Sequence, residues 1–134
     1  MSPTTFHDIE IAKGLVTVGV KDQSALSDWY VRMRDVPLSA FGIEDLCKSV
    51  RQNLYPEYVV PTAIEAIEKE PLAGEMYDGE LAVSFRAVSV AFWHEHQELA
   101  GRLLSVMKEI LPRLGDDVKG DVVATVVTIE AAIG

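Results

Sequence analysis

The sequence predicts an all-α fold, a single-domain helical bundle of about five or six helices spanning residues 1–134. Three observations predict it. Apolar residues recur at spacings of three and four over several stretches, which puts them on one face of a helix. Prolines and glycines stand between those stretches, where helices start and stop. The chain has 134 residues, enough for one domain to bury a core without disulfides or a structural metal.

The first 22 residues carry the weakest signal. Ile9 and Ile11, then Val16, Val18 and Val20, alternate around Lys13-Gly14. This reads either as a short hairpin or as an extended arm laid over helices. From Ser24 to Arg34 the pattern turns helical, with Ser24 as N-cap and Asp28 in the first turn. Leu26, Tyr30 and Met33 share a face, with Trp29 beside them, and Pro37 ends the run.

Ile43 to Leu54 is expected as an amphipathic helix, because Ile43, Leu46, Cys47, Val50 and Leu54 form one stripe. Cys47 on that stripe is expected in the core, not as a nucleophile. Pro56 opens the next helix, to Glu70, with Val60, Ala63, Ile64 and Ile67 inward. Thr62 and Glu65 offer a capping box as an alternative start. A connector with Gly74 and Gly79 leads to a helix over Glu80 to Val88, where valines leave a strand open as an alternative. Glu98 to Leu111 has the clearest stripe: Leu99, Leu103, Leu104, Met107, Ile110 and Leu111. Val118 to Ile133 is rich in Val and Thr, which favours a strand. Its spacing at Val122, Val126, Ile129 and Ile133 is helical, and the spacing decides for a helix.

Charge narrows the partners. With 21 acidic and 12 basic residues the formal net charge is −9, which repels nucleic-acid phosphates and anionic membranes and favours a basic protein partner. The plain alternative is that acidity serves solubility. One cysteine cannot form an intramolecular disulfide. The N-terminal residues lack the pattern of a secretory signal, and no stretch reaches the ~18 to 20 apolar residues of a membrane span. A cytoplasmic location is therefore expected, with no membrane and no nucleic acid as partner.

Residues for chemistry are sparse. His94 and His96 stand two apart, so on a helix their rings diverge and do not converge on one ion. Gly14, Gly19 and Gly42, like Gly74 and Gly79, make no dinucleotide fingerprint. Glu75, Asp78 and Glu80 would be the carboxylates of a small hydrolase, but no nucleophile or phosphate loop accompanies them. No catalytic residue, metal or cofactor is expected. An adaptor or regulatory subunit that binds another basic protein fits this profile.

The middle of the chain carries a more specific signal. Pro37-Leu38-Ser39-Ala40-Phe41-Gly42-Ile43-Glu44-Asp45-Leu46, then Arg51-Gln52-Asn53, is followed by Tyr58-Val59-Val60-Pro61-Thr62-Ala63-Ile64-Glu65, Pro71-Leu72 and Tyr77-Asp78-Gly79-Glu80-Leu81. In order and spacing this resembles the immunity proteins of contact-dependent growth inhibition systems, from about Trp29 to Trp93. The resemblance implies a helical protein that binds and neutralises the toxic C-terminal domain of a cognate surface-delivered protein. Such toxins are often nucleases, and nucleases are often basic. It also implies one fold shared by proteins that face different toxins. Leu46, Val50, Ile64 and Leu81 are then expected as core, Pro61 and Gly79 as residues setting backbone turns, and Gln52 as a backbone-bonding polar residue.

The toxin-binding residues expected are Glu68, Glu75, Tyr77, Asp78 and Glu80. Gly74 and Gly79 make an exposed loop, and loops on a rigid frame often carry recognition. Tyr77 is the amphipathic type enriched at binding hot spots. Four carboxylates nearby would complement a basic surface. The competing reading packs Tyr77 on the bundle and uses Gly79 to start a helix.

Overall fold

Helix capping and stripe burial account for most of the architecture. A computed structural model describes residues 4–14 and 25–134. They form eight α-helices: α1 (Phe6–Ala12), α2 (Ala25–Met33), α3 (Ile43–Arg51), α4 (Pro56–Lys69), α5 (Glu80–Ser84), α6 (Val90–Glu95), α7 (Gln97–Ile110) and α8 (Asp116–Ile133). Among the described residues every regular element is helical, with 3₁₀ turns at Leu38–Ala40, Phe85–Ala87 and Leu111–Arg113. The all-α expectation holds. The helix number exceeds the expected five or six because α1 and α6 are too short to show a repeating stripe. None of the described helices is long and apolar enough to cross a membrane.

The residues divide into two compact units, Met1–Phe41 and Gly42–Gly134. In the first, residues 6–12 are neither hairpin nor extended arm. Thr5 and Asp8 close a capping box: Thr5 Oγ1 accepts from the Asp8 N–H at 3.0 Å, and Asp8 Oδ2 from the Thr5 N–H at 3.1 Å. The buried positions of α1 are Phe6, Ile9 and Glu10, a helical i, i+3, i+4 set, while Ile11 is 67% exposed. Phe6 stacks on Tyr30 at 5.1 Å and meets Trp29 and Phe41 edge-on. Glu10 lies beneath, accepting from Tyr30 Oη at 2.7 Å and pairing with Arg34 Nη2 at 2.9 Å. That side-chain bond to Glu10 raises the Arg34 pKa above its ordinary value. On α2 the buried residue is Trp29, and Leu26 stays exposed. The Val16–Val18–Val20 alternation and the Ser24 cap lie outside the described residues.

In the second unit α3 stops at Arg51, short of the expected Leu54. The Leu54 N–H bonds to Ser49 O and the Asn53 N–H to Val50 O, both at 3.0 Å, with Asn53 left-handed at φ 54°. This is the reciprocal C-terminal cap that a left-handed residue allows, and Asn adopts that conformation more readily than most. Pro56 opens α4 as expected, and the Thr62–Glu65 start is not used: the Thr62 hydroxyl bonds to Tyr58 O inside the helix. Pro61 sets no turn. It sits inside α4, where the ring removes one helical N–H. Gln52 is an exposed helix end.

The short α5 packs against α3, α4 and α8, and Leu81, Ala82 and Phe85 are fully buried. α7 packs on α4 and α8, and α6 on α8. Leu46, Val50, Ile64 and Leu81 are all core, each 3% exposed or less. Helical spacing prevails over β-propensity in α8, where Val122, Thr125, Val126 and Ile129 are buried. Thr125 and Thr128 direct their hydroxyls to the carbonyls of Asp121 and Ala124 one turn back.

Candidate functional site

The connector from α4 to α5 is organised by backbone bonds and one buried carboxylate. Ala73 N–H bonds to Glu70 O, Gly79 N–H to Leu72 O and Leu81 N–H to Ala73 O, all near 3.0 Å. The loop is thereby folded back on itself. Gly74 lies so close to the returning chain that a Cβ there would sit 1.9 Å from Tyr77 O and 2.8 Å from Glu80 Cβ. Gly79 caps α5 at φ +91°, a conformation other residues adopt at a cost, and its α-carbon faces Leu114 and Val118.

Glu80 turns inward. The residue is 4% exposed. Its Oε1 accepts from the N–H groups of Glu75 at 2.8 Å and Met76 at 3.0 Å. Its Oε2 pairs with Arg51 Nη1 of α3 at 3.2 Å. Burial alone would push this carboxyl up, but the two amide bonds and the Arg51 guanidinium together outweigh it and hold it below the usual carboxylate range. Glu80 is therefore charged and fully engaged at neutral pH. The expectation that it faces a partner is corrected: a carboxylate at the first position of α5 reaches back to the open amides of its own loop.

The other expected residues divide. Glu75, Tyr77 and Asp78 are exposed on the loop, together with Met76, which is 81% exposed. Tyr77 remains 42% exposed, and partial burial, then the nearby Glu80 charge, raises its phenol pKa. Gly79 does start a helix, as the competing reading held. Glu68 belongs to α4 and is held by α7, not by the loop: Arg102 gives it Nη2–Oε1 at 2.6 Å and Nε–Oε2 at 3.1 Å, a two-pronged pair that lowers its pKa. The expected site set omits two residues, Arg51 and Met76. A long apolar side chain in a glycine-flanked acidic loop was the available signal for Met76. Nothing in sequence spacing links Arg51 to Glu80.

This geometry presents a loop. Both oxygens of Glu80 already accept hydrogen bonds and its pKa is lowered, an arrangement that favours a held charge over proton transfer. The Cys47 thiol is fully buried, and burial pushes its pKa up, away from a reactive thiolate. The ring of His94 bonds Ala132 O at 3.1 Å, while that of His96 stacks on Phe92 at 4.3 Å. Among the described residues no three His, Cys, Asp or Glu side chains are grouped to hold a metal ion.

No curated protein matches the chain. The family model for CDI immunity proteins matches residues 11–103, most of the 134-residue sequence and all of the loop with its Glu80 anchor, and the chain belongs to that family.

Proposed function

We propose that this immunity protein binds and neutralises the toxin domain of its cognate contact-dependent growth inhibition system, by stoichiometric capture in the cytoplasm and without turnover of its own. The toxin domain is a nuclease with a basic surface, and the loop from Glu75 to Asp78 is a principal contact. The observation that carries the reading is the Glu80 anchor. It holds the amides of Glu75 and Met76, so two carboxylates, a thioether and a phenol are displayed on a fixed frame. Holding a loop in place before binding lowers the entropy lost on association. Met76 and Tyr77 supply contact area, and the net charge of −9 steers a basic partner inward. Glu68 adds little to steering, because Arg102 neutralises it.

Co-expression with the cognate toxin domain tests the reading. Wild type should rescue growth and form a stable complex. The Glu75→Lys/Asp78→Lys variant leaves the Glu80 anchor untouched. Its association rate should fall about tenfold or more at low salt and lose most of its salt dependence, with its helical circular dichroism retained. Persistent killing in the presence of wild type would overturn the immunity function. An unchanged association rate in the folded variant would move the contact surface elsewhere.

A further inference from the structure

The last helix keeps an apolar face in solvent. α8 packs on α5, α6 and α7 with Val122, Val126 and Ile129 inward. On its outer side Gly120, Val123, Val127 and Ala131 are all exposed, Val123 at 42% and Val127 at 60%. Spaced by three and four, they form one stripe about three turns long. A Cβ at Gly120 would meet nothing within 4 Å, so that end of the stripe is open. A solvated helix face normally carries polar and charged side chains, and the middle of this one carries none.

The charges stand at its two ends. Lys119 and Glu130 are eleven positions apart, which places them within about 20° of each other around the helix, on one border of the stripe. No ion pair joins Lys119 to another described residue. Glu130 meets Lys108 of α7 at 3.0 Å, yet its side chain stays 50% exposed, and a carboxylate can accept from more than one donor. This order is its own complement. A second copy of α8, turned end for end about a two-fold axis at the height of residue 125, sets Val127 of that copy opposite Val123. Ala131 of the copy then comes close to Gly120, and Glu130 of the copy close to Lys119. The axis keeps each border on its own side, and every such pair occurs twice, as an isologous contact requires. A parallel pair would leave Lys119 and Glu130 about 16 Å apart along the axis. A basic partner would find a lysine at one end and no carboxylate in the middle, so the stripe suits a second copy better than a basic surface.

We propose that two copies of this chain associate through the outer face of α8, antiparallel, with Val123 and Val127 at the centre and a Lys119–Glu130 pair at each end. A contact of one helix face falls in the small class of interfaces, below ~1,200 Å², so the pair is weak and depends on concentration. The net charge of −9 on each copy opposes it at long range, and at about 0.15 M salt that repulsion is screened beyond about 8 Å. Asp116, the other charge on this face, falls a turn beyond Lys119 at the rim, where the same screening acts. The pairing uses a different element from the acidic loop and does not depend on the toxin reading.

Analytical ultracentrifugation of the full chain at about 0.15 M salt tests it. The average mass of wild type should rise toward that of two copies between about 10 μM and about 1 mM. Val127→Asp should stay monomeric with its helical circular dichroism retained. Lys119→Glu alone and Glu130→Lys alone set like charges together at both ends, and each should weaken self-association about fivefold or more. An equimolar mixture of those two variants should regain the wild-type association. Each end of a mixed pair again joins opposite charges, and the mixture carries the total charge of two wild-type copies. The mixture also decides the matter if Val127→Asp does not fold. Wild type that stays monomeric throughout would overturn the proposal, and loss of toxin capture by a folded Val127→Asp would then give the face to the toxin domain. Self-association that a folded Val127→Asp retains would place the contact on another surface. A mixture no stronger than its two components would overturn the antiparallel register.

Discussion

Removing the Glu80 carboxylate isolates what the buried anchor contributes. Glu80→Ala deletes the acceptor of two backbone N–H groups and the partner of Arg51. A bond to a charged acceptor contributes about 1.5 to 3 kcal/mol net. Residues 75 and 76 are exposed, so their amides regain water in the variant, and the lower end, about 1.5 kcal/mol for each, is appropriate. The Arg51 side chain is 43% exposed, so its pairing resembles a surface ion pair and adds about 0.5 kcal/mol after solvent screening. The expected loss is about 3.5 kcal/mol. Glu80→Gln keeps an acceptor for both amides but not the charge, and should cost about 1 kcal/mol. The pH dependence has a fixed sign. The folded-state pKa lies below the unfolded value of about 4.3, so the charge contributes fully above that value. Its contribution disappears as pH falls through the lower folded-state pKa. Urea unfolding of wild type and both variants at pH 7 and pH 3 measures all of this. The anchor reasoning fails if Glu80→Ala matches Glu80→Gln at pH 7, or if the wild-type advantage over Glu80→Gln survives undiminished at pH 3.

Other outcomes follow from the same geometry. Gly74→Ala places a Cβ against the Tyr77 carbonyl, so the loop must open, with a loss of about 2 kcal/mol or more in urea unfolding and faster amide exchange at Glu75 and Met76. Cys47 should resist Ellman's reagent at pH 8 in the native protein and react at once in urea, since burial both covers the thiol and raises its pKa. Phe6→Ala removes a fully buried ring that stacks on Tyr30, and should cost the first unit about 3 kcal/mol, read by red-shifted Trp29 fluorescence in a Trp93→Phe background.

How far the sequence revealed this protein depends on what kind of signal each element leaves. Long stripes carry α4, α7 and α8 into view, because burial on one face repeats often enough to be read. The α1 helix was hidden by an alternation that means nothing for burial: Ile9 is inside and Ile11 outside. Its true mark was the Thr5–Asp8 pair. The six-residue α6 has only the Ser89 cap, whose hydroxyl oxygen accepts from the Phe92 N–H at 3.1 Å, and two aromatic residues. The acidic loop was legible from Gly74, Gly79 and the carboxylates between them. The inward turn of Glu80 was not, because its partners are main-chain amides of its own loop and a guanidinium 29 positions away. Acidic residues write the same letter whether they face solvent or seal a turn.

Within its own loop the Glu80 anchor grips main-chain atoms, the amides of Glu75 and Met76. The side chains of Glu75 and Met76 take no part in that grip. Any residue that keeps its N–H can stand at 75 or 76 with the grip intact, much as type is reset in a fixed frame. On the loop contact proposed above, a lineage pressed to recognise an altered adversary would change these two side chains first, at little cost to the frame that holds them.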